Sequence, residues 1–209
     1  MKHLIIYIHG KGGSPAESQH YEGLFPGCRV VGMSYQAQTP WEARQEFPAT
    51  FDSLTEGYDK VTLIANSIGA FFALNSLQDK HIDKAYFISP VVDMERLIIN
   101  MMSWANVTEE QLYARSTIST DFGETLSWDY LQDVRTHPIR WEIPTAILYG
   151  SQDNLTSLES VSAFAKAHGA ELTVMEGGEH WFHTPEQMVF LDGWLSLRQS
   201  ICKETSHAH

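Results

Sequence analysis

The stretch KVTLIANSIGAFFALNSL, Lys60–Leu77, decides how the chain is read. Val61, Leu63 and Ile64 form a short apolar run, as a strand buried on both faces does. Ala65-Asn66-Ser67-Ile68-Gly69 follows, and then a helix-like segment of small and apolar residues. A serine on a sharp turn between a buried strand and a helix is held out where a substrate reaches it. Gly69 suits the close backbone approach that such a turn demands. The first helical turn offers N–H groups without helical partners and a positive dipole end, both suited to a developing anion. The pattern is a nucleophile elbow, G-x-S-x-G, with Ala65 in the first glycine position. The plainer reading is that Ser67 merely starts the helix.

Outward from this stretch, apolar runs alternate with helical patterns, the mark of a parallel sheet with helices on both faces. Toward the amino end lie strand Leu4–Ile8, the glycine-rich loop His9-Gly10-Lys11-Gly12-Gly13-Ser14, and a helix opened by Pro15 and running to Leu24. Strand Arg29–Met33 and helix Pro40–Leu54 follow, and Pro48 is expected to bend or split that helix. Toward the carboxyl end lie strand Ala85–Ser89, strand Pro144–Tyr149, helix Leu155–His168, strand Glu171–Met175 and helix Pro185–Arg198. Between Val91 and Glu142 the alternation breaks, with helical patterns over Met94–Trp104, Thr108–Ala114 and Trp128–Val134. This segment is too long for a plain connection and reads as a cap, about 91–142, over the carboxyl ends of the strands. Lys203–His209 reads as a loose polar tail.

A chain of 209 residues is expected to form a single domain with a substantial core. Hydrophobic residues at 43% and charged residues at 19% are a globular composition. The net charge of −12 argues against a nucleic-acid partner and leaves no polybasic patch for an anionic membrane. No apolar run nears the length that spans a bilayer, and MKHLIIYIHGKGG has too short an apolar core for a signal peptide. Cys28 and Cys202 lie far apart and read as two reduced thiols of a cytoplasmic chain.

A serine hydroxyl is a weak nucleophile at neutral pH; it needs a base, and the base needs an orienting partner. In a parallel α/β sheet these come from loops at the carboxyl ends of strands. Gly150-Ser151-Gln152-Asp153-Asn154 follows the fifth expected strand, and Gly177-Gly178-Glu179-His180-Trp181-Phe182-His183 follows the sixth. Asp153 and His180 are therefore placed to converge on Ser67. Asp93, after the fourth strand, is a rival acid but suits equally a cap for the helix at Met94; Asp153 likewise suits a cap for the helix near Leu155. His183 is a rival base, although the two glycines before His180 make the tighter turn. His180-x-x-His183 lacks the further ligands that zinc requires, so neither a metal nor another cofactor is expected.

Four motifs now stand in order: His9-Gly10-Lys11-Gly12-Gly13-Ser14, Ala65-Asn66-Ser67-Ile68-Gly69, Ile143-Pro144-Thr145 with Gly150-Ser151-Gln152-Asp153, and Gly177-Gly178-Glu179-His180. With the chain order Ser…Asp…His, they resemble the α/β-hydrolase superfamily, in the style of its small bacterial carboxylesterase-like serine hydrolases. The resemblance spans nearly the whole chain except the cap and tail. It implies an α/β fold with a six-stranded, mainly parallel sheet in the order 2-1-3-4-5-6, helices on both faces and a small helical cap. It implies that Ser67 attacks a carbonyl, that His180 moves the proton, and that Asp153 orients His180. The oxyanion hole would be the backbone N–H groups of Ile68 and Lys11, with Gly12 an alternative to Lys11. His9 is expected to hold that loop by a hydrogen bond. The implied partner is a small acyl substrate, a carboxylic ester or thioester cleaved through an acyl-enzyme. A peptidase or C–C hydrolase on the same residues, and a non-catalytic binding protein that kept the fold, are the other readings. In the cap, Met94, Ile98, Met102 and Trp104 suit either an adaptable acyl pocket or the packing of a helix onto the body. Trp181, beside His180, suits a pocket wall.

Overall fold

The structure is a computed structural model that describes residues 1–205, and side chains through residue 198. Six apolar runs pair side by side: β1 (His3–Ile8), β2 (Arg29–Gly32), β3 (Lys60–Asn66), β4 (Lys84–Ile88), β7 (Thr145–Gly150) and β8 (Glu171–Met175). Their order is β2-β1-β3-β4-β7-β8, and every pair is parallel. That is the 2-1-3-4-5-6 order, once β5 (Thr117–Ser119) and β6 (Thr125–Ser127), a separate antiparallel hairpin, are set apart.

Side chains in a strand alternate between faces, and here both faces are apolar. Leu4, Ile6, Ile8, Leu63, Ala65, Phe87 and Ile147 join one core cluster. Ile5, Tyr7, Ile64, Tyr86, Ile88 and Leu148 join the other. The first cluster is closed by α2 (Pro40–Thr55), α3 (Ser67–Ser76) and α7 (Leu158–His168), through residues such as Phe47, Phe72 and Val161. The second is closed by α1 (Gln19–Glu22) and α8 (Pro185–Thr205), through Tyr21, Leu191 and Trp194.

Several boundaries differ from the sequence reading. The helix expected from Pro15 to Leu24 is a 3-10 turn, Pro15–Ser18, followed by the single turn of α1. Its carbonyl at Pro15 lies against Gly32 so closely that a Cβ there would sit 2.0 Å away, so β2 dictates its path. Pro48 does not split α2, which runs unbroken through it; buried Phe47 and Phe51 hold the turns on either side against the body. Helix α7 begins at Leu158, with Ser157 rather than Asp153 at its N-cap. Helix α8 extends to Thr205 and takes in the start of the expected tail. The rest of that tail, with His207 and His209, lies outside the described residues, as does the side chain of Cys202.

The segment between β4 and β7 holds α4 (Met94–Trp104), α5 (Glu109–Arg115), the β5–β6 hairpin and α6 (Trp128–Thr136). Its hairpin was not expected from the sequence. Among the described residues, no helix is long and apolar enough to cross a membrane.

Candidate active site

Strand β3 ends at Asn66 and α3 begins at Ser67, so the serine sits on the strand-to-helix corner. Its φ is +49°, a left-handed conformation that costs a non-glycine residue about 1–3 kcal/mol. The surroundings enforce it: a Cβ on Gly69 would lie 2.2 Å from the His9 carbonyl oxygen, so the corner is jammed against the end of β1. The Val91 N–H also holds the Ser67 carbonyl at 3.1 Å.

The Ser67 hydroxyl lies 2.8 Å from His180 Nε2, and His180 Nδ1 lies 2.7 Å from Asp153 Oδ2. An ionised carboxylate can only accept, so Nδ1 carries the proton and Nε2 accepts from the serine. The side chain of Asp153 is fully buried, and that of His180 is partly exposed. Asp153 Oδ1 accepts from the N–H groups of Leu155 (2.8 Å) and Thr156 (2.9 Å), and Oδ2 also accepts from the Thr156 hydroxyl (3.0 Å). Burial alone pushes the Asp153 carboxyl up. The hydrogen bond and charge of His180, with the two backbone donors, outweigh it and hold the carboxyl below the usual range.

The loops that carry these two residues are zipped together. Gln152 N–H donates to the Gly178 carbonyl at 2.8 Å, and Gly177 N–H donates to Ser151 Oγ at 2.8 Å. A Cβ on Gly150 would lie 2.4 Å from the Gly178 backbone, so this approach requires glycine. Sequence reasoning missed Thr156 and Tyr149. The Tyr149 hydroxyl donates to the Thr156 carbonyl at 2.8 Å and steadies the turn that holds Asp153. A threonine three residues after an aspartate is the signal that could have found this turn.

The rivals sit elsewhere. Asp93 caps α4, accepting from the Arg96 N–H at 2.9 Å. His183 Nδ1 donates to the Trp181 carbonyl at 2.7 Å, and its ring stacks on Trp181 at 4.4 Å. Ile68 is the second residue of α3, where backbone N–H groups have no helical acceptor. Lys11 lies in a turn closed by Gly13 N–H to the Gly10 carbonyl at 3.1 Å. Its own Nζ reaches Glu124 Oε1 in the hairpin at 2.5 Å. His9 Nδ1 donates to the Gly10 carbonyl at 2.8 Å, and its ring stacks on Tyr35 at 4.4 Å.

Among the pocket candidates, Met94, Ile98 and Met102 stand at i, i+4 and i+8, on one stripe of α4. All three are buried in the core cluster, so they pack the insertion to the body. Trp104 is 52% exposed and meets Phe122 edge-on at 6.1 Å, and Trp181 is 73% exposed. A groove of about 430 Å³ between α2 and α6 is lined by Trp41, Asp129, Gln132, Asp133 and Thr136 and includes none of the three converging residues. Among the described residues, no group of three or more His, Cys, Asp and Glu side chains could hold a metal ion.

No protein-family model matches the chain, and no curated protein matches it. Solved structures do. Est1E from Butyrivibrio proteoclasticus superposes with a TM-score of 0.74 at 16% identity, over 98% of this chain and 89% of that one. The same protein with ferulic acid bound gives 0.73 at 16% identity, over 94% and 87%. Alpha/beta hydrolase domain-containing protein 10 from mouse gives 0.72 at 14% identity, over 96% and 90%. The parallel sheet in this order, the serine on its central corner and these superpositions lead to one conclusion: the protein has the α/β-hydrolase fold.

Proposed function

We propose that the protein is a carboxylesterase-like serine hydrolase that cleaves a small carboxylic ester or thioester through an acyl-enzyme. The observation that carries this reading is the unbroken line of hydrogen bonds from Asp153 through His180 to Ser67. Ser67 Oγ attacks the carbonyl carbon as His180 Nε2 takes its proton. The imidazolium so formed is stabilised by buried Asp153. His180 then gives the proton to the departing alcohol or thiol, leaving an ester on Ser67. Water repeats the sequence: His180 activates it, the acid departs, and Ser67 recovers its proton. The backbone N–H groups of Ile68 and Lys11 are assigned to the oxyanion; losing one such donor raises a barrier by about 3–4 kcal/mol.

Est1E, solved with ferulic acid bound, lends support to a small carboxylic substrate. We read 91–142 as a cap, because its first residue bonds Ser67 and its hairpin reaches Lys11. The proposal includes a single domain and a cytoplasmic location. In its favour, the chain has only two cysteines, Cys28 and Cys202, far apart in sequence, a usage that suits a reducing compartment.

The test combines a short-chain p-nitrophenyl ester assay with fluorophosphonate labelling. The wild type should turn over and be labelled at Ser67, and Ser67→Ala should lose both, with turnover down about 10⁶-fold. Folded wild-type protein that neither cleaves the esters nor takes the label would end this reading.

A further inference from the structure

We propose that Glu17 and Tyr7 are positioning residues that lock the oxyanion loop to the nucleophile elbow; this rests on the reading of Ser67 as nucleophile. An oxyanion hole built from Lys11 and Ile68 draws its two donors from separate segments. Both must point at one spot, and a misplacement of about 1 Å is enough to cost about 100-fold in rate. The β1–β3 ladder aligns the segments as far as the pair Ile8 and Ala65, and ends there. Beyond it, Gly69 packs against the His9 carbonyl at the start of the loop, and something else must set the rest of the loop against the elbow.

One chain of hydrogen bonds does so. Ser14, at the far end of the loop, donates its N–H to Glu17 Oε1 at 3.0 Å. The Tyr7 hydroxyl donates to Glu17 Oε2 at 2.5 Å. Asn66 Nδ2 donates to the Tyr7 oxygen at 3.0 Å, and Asn66 is bonded directly to Ser67. A single carboxylate thus grips the loop and, through one phenol, the elbow. Tyr7 is 1% exposed, with its ring beside Tyr21 at 5.1 Å, so its hydroxyl has a fixed direction. Burial first, then Tyr21 and Glu17, raise its pKa above the ordinary phenol value, so it stays a neutral donor at any working pH. The acyl-transfer steps assign no proton to Glu17. The bond from Ser14 also belongs to a capping box on the Pro15–Ser18 turn, but the bonds through Tyr7 do not.

The experiment measures kcat, KM and Tm for Tyr7→Phe, Glu17→Ala and Glu17→Gln on a short-chain p-nitrophenyl ester. Ser67→Ala serves as the control for the reading. Leu191→Ala, buried in the same cluster as Tyr7 but outside the hydrogen-bond chain, serves as the control for stability. Tyr7→Phe and Glu17→Ala should lower kcat by about 10- to 100-fold with KM within about twofold. Glu17→Gln, which keeps an acceptor oxygen, should recover part of that loss. If Ser67→Ala is inactive while Tyr7→Phe and Glu17→Ala keep their kcat, the lock is overturned and the nucleophile stands. The lock is equally overturned if their kcat falls no further than that of Leu191→Ala at a matched loss of Tm. If Ser67→Ala turns over like the wild type, the reading of Ser67 falls and the lock falls with it.

Discussion

The loops at the rim of the sheet and the insertion between β4 and β7 are held by different means. At the rim, Asp153 is gripped by backbone N–H groups two and three residues away, and its loop is zipped to the His180 loop through backbone bonds. Beyond the Val91 N–H bond to the Ser67 carbonyl, the insertion is held by side chains: the buried stripe Met94, Ile98 and Met102, an ion pair from Arg44 of α2 to Asp133, and internal pairs from Arg135 to Glu95 and Glu109. Backbone-anchored groups have few alternative positions. Side-chain contacts tolerate repacking at modest cost. The rim should therefore answer substitution with loss of turnover, and the insertion with loss of stability.

The sharpest way to break this contrast is Asp153→Asn. It leaves the shape but ruins the hydrogen-bond polarity toward His180, and turnover should fall by about 10⁴-fold. A variant retaining a tenth of wild-type kcat/KM would show that the buried carboxylate does not orient the base. Next in size is Gly150→Ala. Its methyl group must force apart the backbones of the two zipped loops, so ester turnover should drop by about 100-fold, with about 1–3 kcal/mol lost in urea melts. Full activity here would mean that the loops need not approach so closely.

On the other side of the comparison, Ile98→Ala opens a cavity under α4. It should cost about 2–5 kcal/mol of stability while kcat at permissive temperature stays near wild type. A collapse of kcat in folded Ile98→Ala protein would place α4 in the substrate site after all. Acid titration sharpens the rim half. Because the folded pKa of Asp153 lies below its unfolded value, its contribution to stability is complete above an unfolded value of about 3.9 and fades as pH falls through the lower folded value. The Tm gap between wild type and Asp153→Asn should therefore narrow as the buffer is taken from pH 5 toward about pH 2; a constant gap would mean the carboxyl is not held ionised. The smallest effect belongs to Arg135→Ala, whose partners are largely exposed. Chemical melts should register less than about 1 kcal/mol, shrinking further in high salt.

How much was legible in advance follows the same division. The apolar runs, their alternation with helical patterns, the serine corner and the two acidic and basic loops are local patterns, written in residues a few positions apart. Strand order came only through resemblance, since pairing of distant strands leaves no local mark. The helix start at Ser157, the unbroken α2 across Pro48 and the β5–β6 hairpin were not legible either. Each is decided by what packs beside it.

By itself, then, the sequence determined where strands and helices alternate, where the corner serine stands, and which loops hold the candidate acid and base. Hydrophobic period and turn chemistry act over a handful of residues, and so can be read from them. Only the tertiary structure brought Asp153 and His180, which the sequence reading already preferred over Asp93 and His183, to Ser67, and only it buried the α4 stripe. Those outcomes depend on distances between groups far apart along the chain, which are set when the sheet closes and the two glycine backbones touch.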